Sequence, residues 1–559
     1  MATNTVTTTA VSGHSGFDPN LLATAQIALL TSALVVLATT LLLQHLASRN
    51  PGLDPREPPL IRPRIPYIGH LVGALTSHTG YAQRVWASHP TKPVATFFLG
   101  PVKCYAVFHP DLQHAVVRSR AVEYDAYPAA AVPAGFGVDR RVMAVLDRPD
   151  VSRRYMQAAG SMLGGDAMRS MERRAFAYLA SRLNALPRAT PTPQGLYVWL
   201  RDLASMATAE AFFGRRNPYR TRGPGLIRDQ WTFERCLGTL LLSPTSAVAR
   251  ALAPAGCRAR DRVHAALVDY YAAGDEVHGA ADVVQKRAAL LREAGLSAAQ
   301  FAPHEITTMH GATSNTVPSL FWTVANVYLR PGLVAELRAE LEGVLHVLEQ
   351  QDGVRDAKLL VRIKTADLEH SCPLLANCVR EALRLSSQWI GWRSTHADIE
   401  IPADQSPDGR AYLLKKGVQV IMPAGITHRA PSFWSSAAAA AAPESCSDGS
   451  GGGVEEFDPH RFAAQSKHKI RSTKGGLGYV PFGGGPYLCP GRNFANEEIL
   501  GFVAALVIGF DIVGLKQDNV KMRPARIFEV SAKPAKGGDG GRVEIKRRHS
   551  WEHVKFEFV

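Results

Sequence analysis

Apolar side chains recur at three- and four-residue spacing over Val334–Val347 (VAELRAELEGVLHV) and Ala376–Leu385, which predicts amphipathic helices in both places. The stretches near Val94–Phe98, Cys104–Phe108 and Val418–Met422 are short apolar runs that read as strands. Helical patterns dominate the middle of the chain, so the expected class is mainly α with smaller β-sheets (α+β). One run is different in kind. From Leu21 to Gln44 the chain reads LLATAQIALLTSALVVLATTLLLQ, with no charged side chain. That exceeds the about 20 residues that cross a bilayer core, and it predicts a transmembrane anchor over residues 21–46. A cleaved signal peptide is the competing reading, but its apolar region is usually about 7–15 residues and follows a basic segment, and no Lys or Arg occurs in residues 1–20.

Arg49, Arg56, Arg62 and Arg64 follow the apolar run, so the positive-inside bias places the body in the cytoplasm and the tail of residues 1–20 in a lumen. A single-pass position in the endoplasmic reticulum membrane is the expectation. Prolines at 51, 55, 58, 59, 63 and 66 make residues 47–70 a stiff, extended connector. The remaining 71–559 form the body, without any repeat of solenoid or propeller period. Within it, residues 437–453 (an alanine run, then PESCSDGSGGG) read as a low-complexity insertion, and Lys533–Gly541 (KPAKGGDGG) as a smaller Gly/Lys loop.

Composition narrows the class without naming it. The chain has 559 residues, which at about 150 per domain suggests three or four domains. Hydrophobic residues at 46% and charged residues at 20% exclude collagen-like, mostly disordered and multi-span membrane chains. Lys and Arg outnumber Asp and Glu by 63 to 49, a net +14 that favours a lipid surface, an acidic protein or nucleic acid as partner. Seven cysteines, at 104, 236, 257, 372, 378, 446 and 489, show no repeated C-x-x-C spacing, so neither a disulfide framework nor a zinc module is supported. Such sparse usage suits a reducing compartment, where a functional cysteine acts as a ligand or nucleophile.

The chemistry concentrates near the C-terminus, in PFGGGPYLCPGRNFANEEILGFVAAL from Pro481. Gly483, Gly484 and Gly485 permit turns and close approach, and Pro490 suits the first position of a helix, which places Cys489 at a helix N-terminus. Partial positive charge and free N–H groups there favour a thiolate, the form of an axial metal ligand. The pattern Phe482, Gly485, Cys489, Gly491 resembles the haem-binding loop of cytochrome P-450 enzymes. Three further elements resemble the same family in the expected order. NCVREALRL holds Glu381 and Arg384 three apart on one helix face, and EFDPHRF supplies Arg461. In the family these form a triad that locks the core beside the haem, a network that is buried only with every partner present. TTMHGATSNTVPSLFW resembles the oxygen-activating central helix, where Pro318 lacks an N–H and strands the Ser314 carbonyl. The wording is most similar to the branch containing cholesterol 7α-hydroxylase and prostacyclin synthase.

The resemblance implies a cytochrome P-450 fold carried on one N-terminal transmembrane helix, with haem b (iron protoporphyrin IX) ligated by Cys489 and bordered by Phe482, Gly485 and Gly491. Thr316 is expected to hold the water chain that brings protons to dioxygen, with Asn315 orienting water. Asn315 stands where the family commonly has an acid. Tyr487 stands where an Arg or His commonly reaches a haem propionate, and its phenol offers one hydrogen bond but no positive charge. Arg393 is then the best propionate match, with Arg153 and Arg154 weaker ones. Phe136, Met309, Ala312, Trp389 and Ile390 are expected to supply apolar surface to the substrate cavity. The implied activity is a monooxygenase that inserts one oxygen atom from dioxygen into a lipophilic molecule of sterol, terpenoid or other secondary-metabolite class. Electrons would come from NADPH through the FAD and FMN of a cytochrome P-450 reductase, docking on Lys467, Lys469, Arg471 and Lys474. Two other readings stay open: a reductase-independent isomerase or dehydratase acting on a lipid hydroperoxide, and a non-catalytic haem-binding sensor. Membrane lipid is the remaining partner, and no nucleic-acid motif accompanies the charge.

Overall fold

The run Thr316–Tyr328 is a helix buried along nearly its whole length. A helix apolar all round must be covered on every side. Helices Leu196–Phe213, Pro373–Ser386 and Arg492–Gly509 pack around it. The polar groups it buries find partners: Thr323 Oγ1 donates to the Ser319 carbonyl at 2.8 Å, Trp322 Nε1 to Ala532 at 2.7 Å and Tyr328 OH to Leu506 at 2.7 Å. Arg492–Gly509, the helix that follows Cys489, is buried from Glu498 onward. Glycine is needed at its two closest approaches, where a Cβ on Gly501 would lie 2.4 Å from Phe176 and one on Gly509 2.3 Å from Phe556. The largest cluster of buried apolar side chains gathers residues from Phe136 to Phe556 around these helices.

This computed structural model describes residues 30–42, 53–63, 69–100, 102–124, 131–350, 358–430, 434, 453–465, 478–485, 488–526 and 528–559. Its principal sheet has five strands in the order Val94–Leu99, Val102–Val107, Gln419–Pro423, Ile390–Thr395, Val122–Tyr124. The Gln419–Pro423 strand runs parallel to Val102–Val107 and antiparallel to Ile390–Thr395, with Val420 opposite both Tyr105 and Arg393. Four smaller sheets of two or three strands surround the helical body.

Two expectations meet the structure differently, and a third is covered only in part. The helix predicted over 334–347 runs from Pro331 to Val344 and gives way to the strand His346–Gln350, which pairs with Lys358–Ile363. Residues 533–541, read as a loop because of their glycines, contain the strand Pro534–Asp539 paired with Val520–Met522. A Cβ on Gly538 would lie 2.4 Å from the Lys521 carbonyl, so glycine there marks close strand approach rather than a break. Of the predicted anchor, residues 30–42 are helical, with Leu30, Leu34, Val35, Val36, Leu37, Leu41 and Leu42 exposed. Among the described residues no helix is long and apolar enough to cross a membrane. The tail 1–20, residues 21–29 and 43–46 of the anchor, most of the insertion 437–453, Cys446, the four basic residues of 467–474 and Tyr487 lie outside the described residues.

Candidate active site

Helix Pro373–Ser386 begins with proline, and its first free N–H groups, those of Leu374 and Leu375, donate to the Glu340 carboxylate at 2.7 and 3.0 Å. Glu381 and Arg384 lie on its buried face with 0% side-chain exposure. Arg384 grips Glu381 with two parallel bonds of 2.7 Å, and Arg461 Nε adds a third contact at 3.4 Å. Arg384 also donates to the carbonyls of His428 and Val454 at 2.8 and 2.7 Å, and its guanidinium lies 5.1 Å over the Trp434 ring. Asp458 N completes Glu381 at 3.1 Å. The three expected triad members are thus brought together from the helix and the 453–465 segment.

His428 ties this network to the cysteine loop. Its Nδ1 faces the Ser387 carbonyl at 3.0 Å and its Nε2 faces the Val480 N–H at 2.9 Å, so Nδ1 carries the proton and Nε2 accepts. Burial pushes its pKa down to about 3 and keeps the ring neutral. Trp389 Nε1 holds the Val480 carbonyl at 3.0 Å. Both sides of the Val480 peptide are therefore fixed two residues ahead of Phe482. Reading the sequence passed over His428, whose role rests on partners 41 and 52 positions away.

Beyond Val480 the chain turns through Gly483 (φ 80°) and Gly485 (φ 65°), and Cys489 N returns to the Phe482 carbonyl at 3.1 Å. A Cβ on Gly485 would sit 2.7 Å from Val117 Cγ1 and 3.0 Å from its carbonyl. Left-handed backbone and the clash act together, so Gly485→Ala is expected to lower unfolding free energy by about 2 kcal/mol or more, measured by denaturant titration. The Cys489 sulfur accepts from the backbone N–H groups of Gly491 and Arg492 at the start of helix Arg492–Gly509. Burial pushes the thiol above its ordinary pKa, and those amides with the Arg492 charge pull back only part of the way. The helix N-terminus alone therefore does not make the thiolate that the sequence suggested, because desolvation outweighs it. Cys104 and Cys372 lack such amide donors in their balance, and burial takes both to about 12.

The donor chemistry at Cys489 fits haem. Among the described residues no three His, Cys, Asp or Glu side chains gather as a metal site. A metal on one cysteine must then bring its own equatorial ligands, as a porphyrin does. Phe482 is half-buried against the main core. Arg393 is 3% exposed on the strand opposite Val420, and Nη1 donates to its neighbour's carbonyl, Trp392 O, at 2.9 Å. The apolar cluster containing Val420 includes Val116 and Val117 of helix Pro110–Arg118, and Val117 also backs Gly485 of the cysteine loop. Arg154 instead makes a bidentate surface pair with Glu293 at 2.9 and 2.7 Å, and Arg153 is exposed, which corrects both as propionate candidates.

The central helix breaks between Thr313 and Thr316, with Asn315 at φ −113°, ψ −39°. Pro318 cannot supply the N–H that Ser314 O would receive in a continuous helix. Gly311, Ser314 and Asn315 line a cavity of about 800 Å³ beside this break. Asn315 Oδ1 is tied to Ser531 N at 3.4 Å, and Thr316 is buried at 8% exposure behind it. Phe136 lines the cavity. The other apolar candidates do not: Met309 is buried in the main core, Ala312 packs against that core, Trp389 is spent on Val480, and Ile390 faces a smaller cavity with His70 and Trp392. Met309 and Ala312 lie on helix Ile306–Thr313 and Ile390 begins the strand Ile390–Thr395, while Trp389 lies in the short connection between helix Pro373–Ser386 and that strand. Missing from the apolar expectation are Glu234, His310, Glu529 and Lys533, which line the cavity as well.

Residues 281–537 match the family model for cytochrome P450. A cytochrome P450 monooxygenase of Gibberella zeae is 28% identical over 518 residues, covering 91% of this chain and 92% of that protein. Cytochrome P450 monooxygenase nodJ of Hypoxylon pulicicidum is 27% identical over 469 residues, covering 82% and 84%. A 25-hydroxycholesterol 7-alpha-hydroxylase of Rattus norvegicus is 26% identical over 252 residues, covering 44% of this chain and 55% of its own.

Proposed function

Since the chain belongs to the cytochrome P450 superfamily and is a cytochrome P450 monooxygenase, we propose that it binds haem b through Cys489 and inserts one oxygen atom into a lipophilic secondary metabolite or sterol-like molecule. The observation that carries this reading is the Cys489 sulfur, held by two backbone amides at a helix start and braced through Val480 and His428 by the buried Glu381 network. Haem, when bound, supplies the oxygen-atom transfer chemistry. The protein supplies a fixed sulfur ligand, a buried cation in Arg393 for a propionate, and a cavity of about 800 Å³ beside the helix break. The sterol hydroxylase and fungal monooxygenases among the relatives support the substrate class.

At the helix break, the Ser314 carbonyl has lost its helical donor to Pro318 and offers a lodging for water. Thr316 follows Asn315 at this point and relays a proton through that water, while Asn315 orients it. Thr316→Ala is expected to cut the product formed per NADPH consumed by about ten-fold, with the excess NADPH appearing as reduced oxygen. Coupling unchanged in that variant contradicts the relay.

Electrons come from NADPH through a diflavin reductase that docks on the basic residues of 467–474. The exposed apolar face of residues 30–42 supports anchorage in the endoplasmic reticulum membrane with the body in the cytoplasm. Reconstitution with NADPH–cytochrome P450 reductase, followed by product analysis, tests the activity. Product that requires both NADPH and reductase is the expected result, and conversion of a lipid hydroperoxide without either contradicts it.

A further inference from the structure

The cavity at the helix break carries charges of both signs on its wall. Glu234, on helix Gly225–Leu242, is 5% exposed, and its Oε1 accepts a hydrogen bond from His310 Nδ1 of helix Ile306–Thr313. Phe136 packs edge-on to that imidazole at 5.4 Å between ring centres. The second carboxylate oxygen, Oε2, has Lys533 Nζ at 4.0 Å, beyond hydrogen-bond reach. Lys533 is itself 3.5 Å from Glu529 Oε1.

The two carboxylates differ in how well they are satisfied. Glu529 receives two bonds from Arg523 at 2.7 and 2.8 Å and one from Arg526 N at 2.9 Å. Burial would raise its pKa, but Arg523 and Lys533 hold it to about 2. Glu529 is a saturated structural anion. A carboxylate has about four lone-pair positions, and among the described residues Glu234 has one close donor, from His310. A buried carboxylate so thinly partnered, on a cavity wall, is costly unless something else donates to it.

We propose that Glu234 and Lys533 together recognise a hydroxyl group already present on the substrate, the O–H donating to Glu234 Oε2 and the oxygen accepting from Lys533 Nζ. This rests on the monooxygenase reading and narrows its substrate class to alcohols with an apolar skeleton. An ion satisfies only one of the pair: a carboxylate accepts from Lys533 but has no proton to donate to Glu234 and is repelled by it, and an ammonium donates to Glu234 but cannot accept from Lys533 and is repelled by it. An alcohol alone uses both an acceptor and a donor. Glu234 and Asn315 line one cavity, so holding the hydroxyl at Glu234 selects which carbon lies near the helix break. A prior step of a class that installs an alcohol, such as hydroxylation or carbonyl reduction, must then supply the substrate.

The test uses the full-length, haem-loaded protein and three probes of one chain length, dodecan-1-ol, 1-methoxydodecane and dodecanoate. Binding is measured by equilibrium dialysis, independently of the haem spectrum. Dodecan-1-ol is expected to bind about ten-fold more tightly than the ether or the acid, because a hydrogen bond to a charged acceptor discriminates by about that factor. In Glu234→Gln the alcohol's advantage over the acid is expected to vanish and its advantage over the ether to shrink several-fold. Equal binding of alcohol and ether to wild type, tightest binding of dodecanoate, no binding of any probe, or unchanged ratios in Glu234→Gln overturns the proposal. The carbon monoxide spectrum of the same samples reports on haem ligation and the integrity of the variant, and product formation that requires NADPH and reductase reports separately on the monooxygenase reading.

Discussion

Replacing Glu381 with alanine is expected to yield no stable, haem-retaining protein. The carboxylate sits at 0% exposure between Arg384 and Arg461, whose side chains are equally buried. Breaking a buried ion pair from one side typically costs about 3–5 kcal/mol, because the abandoned charge stays desolvated. Here two guanidiniums are abandoned by one substitution. Against a whole-domain stability of about 5–15 kcal/mol the loss is decisive. It also propagates, since Arg384 holds the His428 carbonyl and the His428 ring holds Val480 at the root of the cysteine loop. The check is soluble yield with bound haem and the thermal midpoint against wild type. A variant that keeps haem and melts within a degree or two of wild type contradicts the central position given to the network.

Cys489→Ser is expected to behave in the opposite way, folding but losing turnover. The sulfur's protein partners are the N–H groups of Gly491 and Arg492. A serine oxygen accepts well from such groups at a helix start, so the local structure survives. A neutral hydroxyl does not supply the electron density that a thiolate gives to haem iron. Monooxygenase product is expected to fall below detection in a reductase-supported assay, with the thermal midpoint of the haem-free protein little changed. Retained turnover contradicts the assignment of Cys489 as ligand.

The glycine turns of the cysteine loop and the Glu381–Arg384 pair were legible in short local spacing, whereas Arg461, 80 positions from Glu381, and the ligand role of Cys489 were legible only through the resemblance to cytochrome P-450 enzymes. The broken central helix was legible locally, since one proline removes one known donor. What escaped reading was set by partners distant along the chain. His310 meets Glu234 across 76 positions, and neither residue stands in a pattern that announces a cavity. His428 is unremarked in sequence because a buried neutral imidazole is identified only by what faces its two nitrogens. The glycines of 533–541 carry two meanings, loop or close strand approach, and only the position of Lys521 decides between them. Met309, Ala312, Trp389 and Ile390 were placed on the cavity by their position near the right segments, but the side on which Met309, Ala312 and Ile390 project depends on the phase of their helix or strand, and Trp389 is held by Val480, 91 positions away. The three or four domains suggested by length alone gave way within the sequence itself, where the linked motifs span one body over residues 71–559.

The central claim, that Cys489 ligates haem as a thiolate, is tested most directly by the absorption spectrum of the reduced, carbon monoxide-bound protein, recorded in parallel for Cys489→Ser. A thiolate ligand is expected to give the wild type the strongly red-shifted Soret band that distinguishes it from histidine-ligated haem, and the variant is expected to lack that band. A wild-type spectrum without the shift, or a variant that keeps it, contradicts the account.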